Sequence, residues 1–149
     1  MVEQVIADTN PGLVIFDMID NLEFKGTMRA GHDSRTDQIL EAQYQWARKL
    51  GVKYGHPVIA TSQISAEVEQ QSETQCNPPM HALKDSKTGK QGAADLMIMI
   101  GRSDDPTLGS VRYISTPKNK LALTGKSQAI RQQVNIDLDR GQYLDPVGV

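Results

Sequence analysis

The 149-residue sequence contains one cysteine and no long apolar run. The single cysteine, Cys76, excludes an internal disulfide and a zinc site built from several thiolates, and it fits a reducing compartment. The longest apolar runs have about five residues, whereas a membrane-spanning helix needs about 20, so we expect no membrane partner. Residues 1–4 lack the basic and then apolar pattern of a signal peptide. The composition predicts a globular domain without a membrane anchor.

A strong excess of either charge is also lacking, because the formal net charge is −2. The overall charge therefore predicts no attraction to a polyanion, but the local charge does. Residues 112–131 contain five basic and no acidic side chains, and residues 84–90 contain three lysines and one aspartate. These segments would attract a phosphate-rich partner, although a solvated basic face is the alternative explanation.

Two apolar runs are typical of strands in a parallel sheet. Residues 12–17 form a continuous apolar run that ends in Asp17, as expected for a strand covered on both faces. Residues 58–62 form a second such run, which is followed by Gln63. The segment between the two runs is predicted to be helical, and strand, helix and strand in this order predict a parallel βαβ unit with a right-handed crossover.

The predicted helix begins near a capping box at Ser34 and continues to about Leu50 or Tyr54. Apolar residues recur in it at intervals of three and four, which predicts one buried face. That face consists of Ile39, Ala42, Trp46 and Leu50. Another helix is expected to end just before the turn at residues 10–12.

The second half of the sequence predicts a long polar segment and then more strands. Residues 64–92 are polar, and a loop of this length in a compact domain is usually functional or disordered. Residues 94–100 and 111–116 are predicted as a third and a fourth strand, and residues 134–138 as a half-exposed strand that leads into a terminal hairpin. We therefore expect an α/β fold with three parallel strands followed by antiparallel C-terminal strands.

Asp17 and Gln63 are the leading candidates for a functional site. Ligands of open parallel sheets bind beyond the carboxyl ends of the strands, where both residues are expected. A carboxylate after a buried apolar strand is the Walker B arrangement, which holds the Mg²⁺ of a nucleoside triphosphate through water. A glutamine can sense a phosphate or a water and also hold the following loop. The alternative is that both are ordinary residues at the ends of strands.

Five motifs in order resemble the RecA-type core of hexameric replicative helicases, in particular the DnaB-like helicases and the phage primase–helicases. The resemblance covers nearly the whole chain, from about residue 3 to about residue 145, and implies a single partial helicase domain over residues 1–149. The motifs are Leu-Val-Ile-Phe-Asp17, Val58-Ile-Ala-Thr-Ser-Gln63, Leu83-Lys-Asp-Ser86 with Gln91-Gly-Ala-Ala-Asp95, Lys118-Asn-Lys120, and Thr124-Gly125.

The resemblance implies a role for each matching residue. Asp17 would be the Walker B residue, which holds the Mg²⁺ of bound ATP or another NTP through water. Gln63 would be the switch that couples the nucleotide to DNA. Lys118 and Lys120 would reach the nucleotide of a neighbouring subunit and stabilise charge in the transition state. Residues 64–92 would include the loop that grips single-stranded DNA, with phosphate contacts from Lys84, Lys87 and Lys90.

The sequence departs from the helicase pattern in three places. The second residue of the basic pair is usually arginine, but it is Lys120 here, and lysine lacks the bidentate fork of arginine. The segment between Ser86 and Gln91 is one residue longer than in cellular DnaB proteins. No G-x-x-x-x-G-K-[ST] phosphate loop occurs in the sequence. In the family, that loop and the catalytic glutamate precede the Walker B strand, so we expect this chain alone not to hydrolyse ATP.

The expected function is that of a fragment of an ATP-dependent replicative DNA helicase. It would couple NTP hydrolysis at subunit interfaces to translocation on single-stranded DNA, and the full-length protein would form a ring, with a hexamer as the expected state. The expected location is the cytoplasm of a bacterium or of a phage-infected host cell. A fragment of a RecA-like recombinase is one alternative, and a non-hydrolysing module for DNA binding or assembly is another.

Overall fold

The computed structural model of the protein describes residues 1–23, 36–66, 76–83, 89–124 and 129–146. These residues belong to two compact units. The first unit comprises Met1–Gln63 and Leu83–Ala94, and the second comprises Ile64–Ala82 and Asp95–Val149. The single domain expected over residues 1–149 stays a prediction.

The described residues of the first unit form three helices and a pair of parallel strands. In chain order the elements are α1 (Val2–Thr9), β1 (Val14–Phe16), a 3₁₀ turn (Ile19–Asn21), α2 (Thr36–Tyr54), β2 (Val58–Ala60) and α3 (Gly89–Ala93). Strands β1 and β2 pair in parallel, with Phe16 opposite Ala60. The predicted βαβ unit is confirmed, and α1 is the helix expected before the turn at residues 10–12.

Helix α2 has the predicted length but a different buried face. It runs through Gly51 and ends at Tyr54, before Gly55 with its positive φ of 72°. A Cβ atom on Gly51 would lie 2.9 Å from the carbonyl oxygen of His56, so only glycine lets the chain return this closely to the helix. The buried residues are Leu40, Gln43, Ala47 and Leu50, and Ile39, Ala42 and Trp46 are only partly buried.

The core of the first unit lies between the helices and one face of the parallel pair. Its buried residues are Ile6, Phe16, Ile19, Ala47 and Leu50. Trp46 is partly buried and packs against this cluster, with its ring centroid 5.6 Å from that of Phe16. The Trp46 indole also donates a hydrogen bond of 3.4 Å to Glu3, which links α2 to α1.

The other face of the parallel pair is not covered by the described residues. Ile15 is 59% exposed and Ile59 is 50% exposed, whereas Phe16, the next residue along β1, is buried. The prediction of strands covered on both faces is therefore wrong for the part of the chain that the structure describes. The reason is that α1 and α2 pack against the same side of the pair, and a strand alternates its side chains between the two sides.

The second unit is built on a four-stranded antiparallel sheet. Its strands are β3 (Leu96–Gly101), β4 (Val111–Asn119), β5 (Arg131–Asp137) and β6 (Gln142–Leu144), and they pair in this order. Two 3₁₀ turns accompany them, at Met80–Ala82 and Pro106–Leu108. The antiparallel C-terminal strands and the terminal hairpin are confirmed.

Strand β3 differs from the prediction in the sheet to which it belongs. The sequence predicts it as the third strand of the parallel sheet, but the parallel ladder of the described residues contains β1 and β2 alone. An apolar run predicts a strand but does not specify which strand it pairs with. The antiparallel pairing of β3 with β4 agrees with the prediction, because residues 102–110 are too few for a parallel crossover of about a dozen residues. Met97 and Met99 are buried on one face of β3.

A bulge interrupts the ladder between β3 and β4 next to the predicted basic pair. Met97 lies opposite Lys118 and Met99 lies opposite Ser115, so one residue of β3 faces two residues of β4. One of these two is Pro117, which has no N–H group to donate to the ladder. Bulges bend a strand and change the direction of the side chains that follow. This bulge therefore sets the position of Lys118.

Candidate functional site

The ends of β1 and β2 lie side by side and place Asp17 next to Thr61. The Thr61 amide donates a hydrogen bond of 3.0 Å to the carbonyl of Phe16, which extends the ladder one residue beyond β2. The Thr61 hydroxyl then donates a hydrogen bond of 2.5 Å to Oδ1 of Asp17. The Asp17 side chain is exposed, so the neighbouring strand orients its carboxylate while leaving it accessible.

Gln63 follows Thr61 by two residues and is also exposed. Because Phe16 and Ala60 are paired at the ends of their strands, Asp17 and Gln63 both emerge from the same end of the parallel pair. The structure thus brings together the segments that carry these two predicted site residues. Their order along the chain alone could not show this, since 46 positions separate them (63 − 17).

Asp17 suits a magnesium ion that is held through water. Mg²⁺ prefers oxygen ligands, keeps several waters, and is usually bound by one or two carboxylates together with substrate phosphates. The Asp17 carboxylate is exposed, and its Oδ2 atom has no protein hydrogen-bond partner among the described residues. Within the same residues, no group of three or more His, Cys, Asp or Glu side chains could hold a metal. Asp17 would therefore act as a carboxylate ligand together with the phosphates of a nucleotide.

A partly buried polar cluster lies next to these strand ends, and sequence reasoning did not find it. It consists of Asp20, Tyr44, Ser62 and Lys90, and we call it the Lys90 cluster. The Lys90 ammonium donates to Oδ2 of Asp20 at 2.9 Å and to Oγ of Ser62 at 2.8 Å. Ser62 donates to the same Asp20 oxygen at 2.7 Å, so the three polar groups form a closed triangle.

Tyr44 closes the cluster on the side of α2. Its hydroxyl donates a hydrogen bond of 3.0 Å to Oδ1 of Asp20, and the Lys90 nitrogen lies 5.3 Å from the centre of its ring. Burial raises the pKa of the Tyr44 hydroxyl, so it remains a neutral donor at physiological pH. Asp20 therefore accepts three hydrogen bonds, and the lysine charge has both a carboxylate and an aromatic face beside it.

The position of Lys90 does not agree with the predicted contact to DNA. Its side chain is 2% exposed and points into the cluster, so its ammonium group has no access to a DNA phosphate in this structure. Lys84 and Lys87 lie outside the described residues. Charge patterning could not separate Lys90 from these two lysines, because its partner Asp20 is 70 positions away in the sequence (90 − 20).

The predicted basic pair belongs to the second unit. Lys118 is a partly buried residue of β4, and Lys120 follows the last residue of that strand. The Lys120 amide donates a hydrogen bond of 2.9 Å to the carbonyl of Asp95, and its ammonium lies 3.9 Å from the Asp95 carboxylate. With 54% and 45% of these two side chains exposed, this ion pair is a weak one. Lys120 is therefore accessible to a partner.

No helix among the described residues is both long and apolar enough to cross a bilayer. No protein-family model matches the chain, and no curated protein matches it in sequence. Solved structures do match. One of them, described as an ATPase domain, is similar with a TM-score of 0.77 and 18% identity, over 97% of this chain and 50% of that one.

A second similar structure is described as a DnaB-like replicative helicase and its interactions with primase. It matches with a TM-score of 0.74 and 22% identity, over 97% of this chain and 34% of that one. The chain thus spans 50% of the length of the first structure and 34% of the second. The α/β class with a parallel and an antiparallel sheet is confirmed, and the fold of the chain is similar to that of part of these two structures.

Proposed function

We propose that the chain is part of an ATP-dependent replicative DNA helicase. In this function, NTP hydrolysis at the interfaces between subunits drives translocation on single-stranded DNA. The observation that carries the proposal is the paired ends of β1 and β2, where an oriented, exposed Asp17 and an exposed Gln63 follow adjacent parallel strands. In open sheets of this kind, ligands bind beyond the carboxyl ends of the strands.

Each residue at the strand ends has a distinct part in the proposed reaction. Asp17 would hold a water of the metal ion, with its carboxylate oriented by the Thr61 hydroxyl. Mg²⁺, when bound with the nucleotide, would neutralise negative charge that develops on the phosphates. Gln63 would use its neutral amide to orient a water or a phosphate oxygen, since it can both donate and accept. Their contribution is positioning and electrostatic stabilisation, which dominate phosphoryl transfer.

The remaining roles depend on other subunits and on DNA. Lys118 and Lys120 would extend from β4 to the nucleotide of a neighbouring subunit, and the exposure of Lys120 supports this role. Single-stranded DNA would be held by phosphate contacts from Lys84 and Lys87, since Lys90 is buried in its cluster. A ring of six subunits would supply the interfaces.

Two other functions remain candidates. A RecA-like recombinase shares the Asp17 and Gln63 placements, but the Lys118-Asn-Lys120 pair and the terminal hairpin favour a helicase, as do the two similar solved structures. Strand exchange by the protein, without unwinding of duplex DNA, would favour the recombinase. A non-hydrolysing module would bind DNA or a partner with an affinity that nucleotide does not change.

The test is ATP hydrolysis by the complete protein that the gene encodes, measured with and without oligothymidylate. Asp17→Asn retains the size of the side chain and can still accept from Thr61, but it removes the charge that the metal ion needs. We expect kcat to fall by about 10- to 100-fold, as for other residues that act on a metal through its outer shell.

Asp8→Asn is the matched control. Asp8 is exposed on α1, where it accepts a hydrogen bond of 2.9 Å from Gln4, and the same substitution there should leave hydrolysis unchanged. Equal hydrolysis by wild-type and Asp17→Asn protein would show that Asp17 is not the Walker B residue. If the complete protein shows no hydrolysis under any condition, the non-hydrolysing module becomes the better proposal.

A further inference from the structure

Lys90 is the most buried charged side chain among the described residues. Removing an ammonium ion from water costs several kcal/mol, so a buried lysine is kept only with good partners. Lys90 has them, because its nitrogen contacts Asp20 at 2.9 Å, Ser62 at 2.8 Å and the face of the Tyr44 ring. A surface lysine would have avoided the whole cost. The cluster therefore has a role that a simple apolar contact would not fulfil.

The partners of Lys90 come from the two segments that carry the proposed site. Asp20 lies three residues after Asp17, in the 3₁₀ turn that follows β1. Ser62 directly precedes Gln63. The lysine thus joins the backbone beyond β1 to the backbone beyond β2, at a point where the ladder between the two strands has already ended with Thr61. Without Lys90, the hydrogen bond from Ser62 to Asp20 would be the remaining link between these two segments within the cluster.

The element that carries Lys90 is itself held in place. Lys90 lies in the first turn of α3, and the guanidinium of Arg48 on α2 donates a hydrogen bond of 2.7 Å to the carbonyl of Ala93 at the other end. Helix α3 is therefore tied to the strand ends through Lys90 and to α2 through Ala93. This arrangement fixes the ammonium group relative to both strand ends.

We propose that Lys90 is a positioning residue for the hydrolysis reaction, because it holds the segments of Asp17 and Gln63 in one register through Asp20 and Ser62. This inference rests on the proposed function. Lys90 touches neither nucleotide nor metal in this role. It restrains Ser62 and hence Gln63, and it restrains the turn at Asp20 and hence Asp17. A displacement of about 1 Å at reacting groups can lower a rate by about 100-fold.

The first experiment compares steady-state kinetics of the complete protein with wild-type Lys90 and with Lys90→Met, which has a similar length and no charge. We expect kcat to fall by about 100-fold and KM for ATP to change by no more than about twofold, since positioning acts on the transition state. A smaller folded fraction would also lower the apparent kcat without changing KM. For this reason kcat is calculated from the concentration of folded protein.

Leu50→Ala is the control for stability. Leu50 lies in the core of the first unit, 3% exposed, and outside the Lys90 cluster. Its truncation is expected to destabilise the fold to a comparable degree. Both variants are assayed at a temperature and denaturant concentration at which they are fully folded. Under these conditions Leu50→Ala should retain the wild-type kcat. If both variants lose kcat equally, Lys90 acts through stability alone and the inference is wrong.

A double substitution tests whether the pair acts as a unit. If Lys90 works through Asp20, then Asp20→Asn and Lys90→Met should each lower kcat by a similar factor, and the double variant should lose no more than either one. If the loss of kcat in the double variant equals the product of the two single losses, the two residues act independently and the inference is wrong.

Hydrogen exchange supplies a readout that does not depend on hydrolysis. In the absence of nucleotide, backbone amides of residues 61–63 should exchange faster in Lys90→Met than in wild type, and Leu50→Ala of similar stability should not show this local change. If the Lys90→Met variant hydrolyses ATP with the kcat of wild type, the inference is overturned and the proposed function stays intact. Absence of hydrolysis in wild type would overturn the proposed function and with it the positioning role of Lys90.

Discussion

Each of the two units contains a lysine–aspartate pair, and the two pairs differ in almost every physical respect. In the first unit, Lys90 is 2% exposed and lies 2.9 Å from Asp20. In the second unit, Lys120 is 54% exposed and lies 3.9 Å from Asp95. The sequence predicts phosphate contacts for both lysines, on DNA or on a nucleotide. The comparison shows that the surroundings of a lysine, and not its charge, decide whether it can meet a partner.

The two backbones explain the difference. Lys90 lies on a short helix that packs against α2, and its side chain enters the interior, where it meets Asp20, Ser62 and the face of the Tyr44 ring. Lys120 follows the last residue of β4, where the chain leaves the sheet and the side chain faces solvent. A buried pair is costly to break, whereas an exposed pair contributes about 0 to 1 kcal/mol.

The largest expected effect on stability is that of Lys90→Met. It leaves the Asp20 carboxylate without its counter-charge, and we expect the free energy of unfolding to fall by about 3 to 5 kcal/mol. Urea unfolding of wild-type and variant protein measures the difference. The double variant Lys90→Met with Asp20→Asn should recover part of the loss, since it removes the unpaired charge. A loss below about 1 kcal/mol in Lys90→Met would put this pair in the class of exposed pairs.

A much smaller effect is expected for Lys120→Met in the second unit. Its ion pair is long and exposed, so the free energy of unfolding should change by less than about 1 kcal/mol. Raising the salt concentration to about 1 M should remove this difference in the free energy of unfolding, because the Debye screening length is then about 3 Å. The same urea titrations at low and high salt test this. A salt-independent loss of the size expected for Lys90 would erase the contrast between the two units.

The smallest expected effect concerns an exposed pair within the first unit, Glu3 with Lys53, whose side chains meet at 2.6 Å. The hydrogen bond from Lys53 lowers the pKa of Glu3 below its usual value of 4.5. A lowered pKa in the folded state stabilises the protein fully above about 4.5 and less as the pH falls through the folded value. Glu3→Gln should therefore be slightly less stable than wild type at pH 7.

The difference between wild type and Glu3→Gln should shrink as the pH is lowered from about 7 to about 3, as measured by urea unfolding at each pH. This pair sharpens the comparison because it lies in the same unit as Lys90 yet is exposed. If Glu3→Gln changes the free energy of unfolding little and Lys90→Met changes it strongly, then burial explains the difference between the ion pairs, and the unit in which they lie does not. A difference that stays constant with pH would show that the Glu3 carboxylate does not contribute through Lys53.

Local patterns in the sequence predict most of the elements. The apolar runs before Asp17 and Gln63 predict β1 and β2, because continuous apolar runs this short, preceded by turn residues, have the length of a strand and not of a helix. The helix signals predict α2 up to about Leu50 or Tyr54, and it ends at Tyr54. The turn before Gln142 predicts the terminal hairpin. The predicted face of α2 is one residue out of phase, since Leu40 and Gln43 are buried in place of Ile39 and Ala42. A helix of 19 residues shows several apolar stripes, and packing selects one of them.

The chemistry at the strand ends is predictable only in part. Asp17 and Gln63 can be found because each follows an apolar run, which is a local signal. Asp20, Ser62 and Lys90 cannot be grouped in this way, because a triangle of hydrogen bonds between residues 20, 62 and 90 leaves no periodic or adjacent pattern in the sequence. The prediction for Lys90 relies on nearby lysines, and charge patterning does not distinguish a buried lysine from an exposed one.

Local patterns in the sequence are enough to predict the order of strands and helices and the positions of Asp17 and Gln63 at the ends of strands. These features depend on periodicity, turn residues and adjacency, which act over a few residues. Packing between distant segments determines which face of each element is buried, that β3 lies outside the parallel ladder of the described residues, and that Lys90 lies inside the first unit beside Asp20. Those outcomes depend on contacts between segments far apart in the chain, where packing and the cost of burying charge select one arrangement.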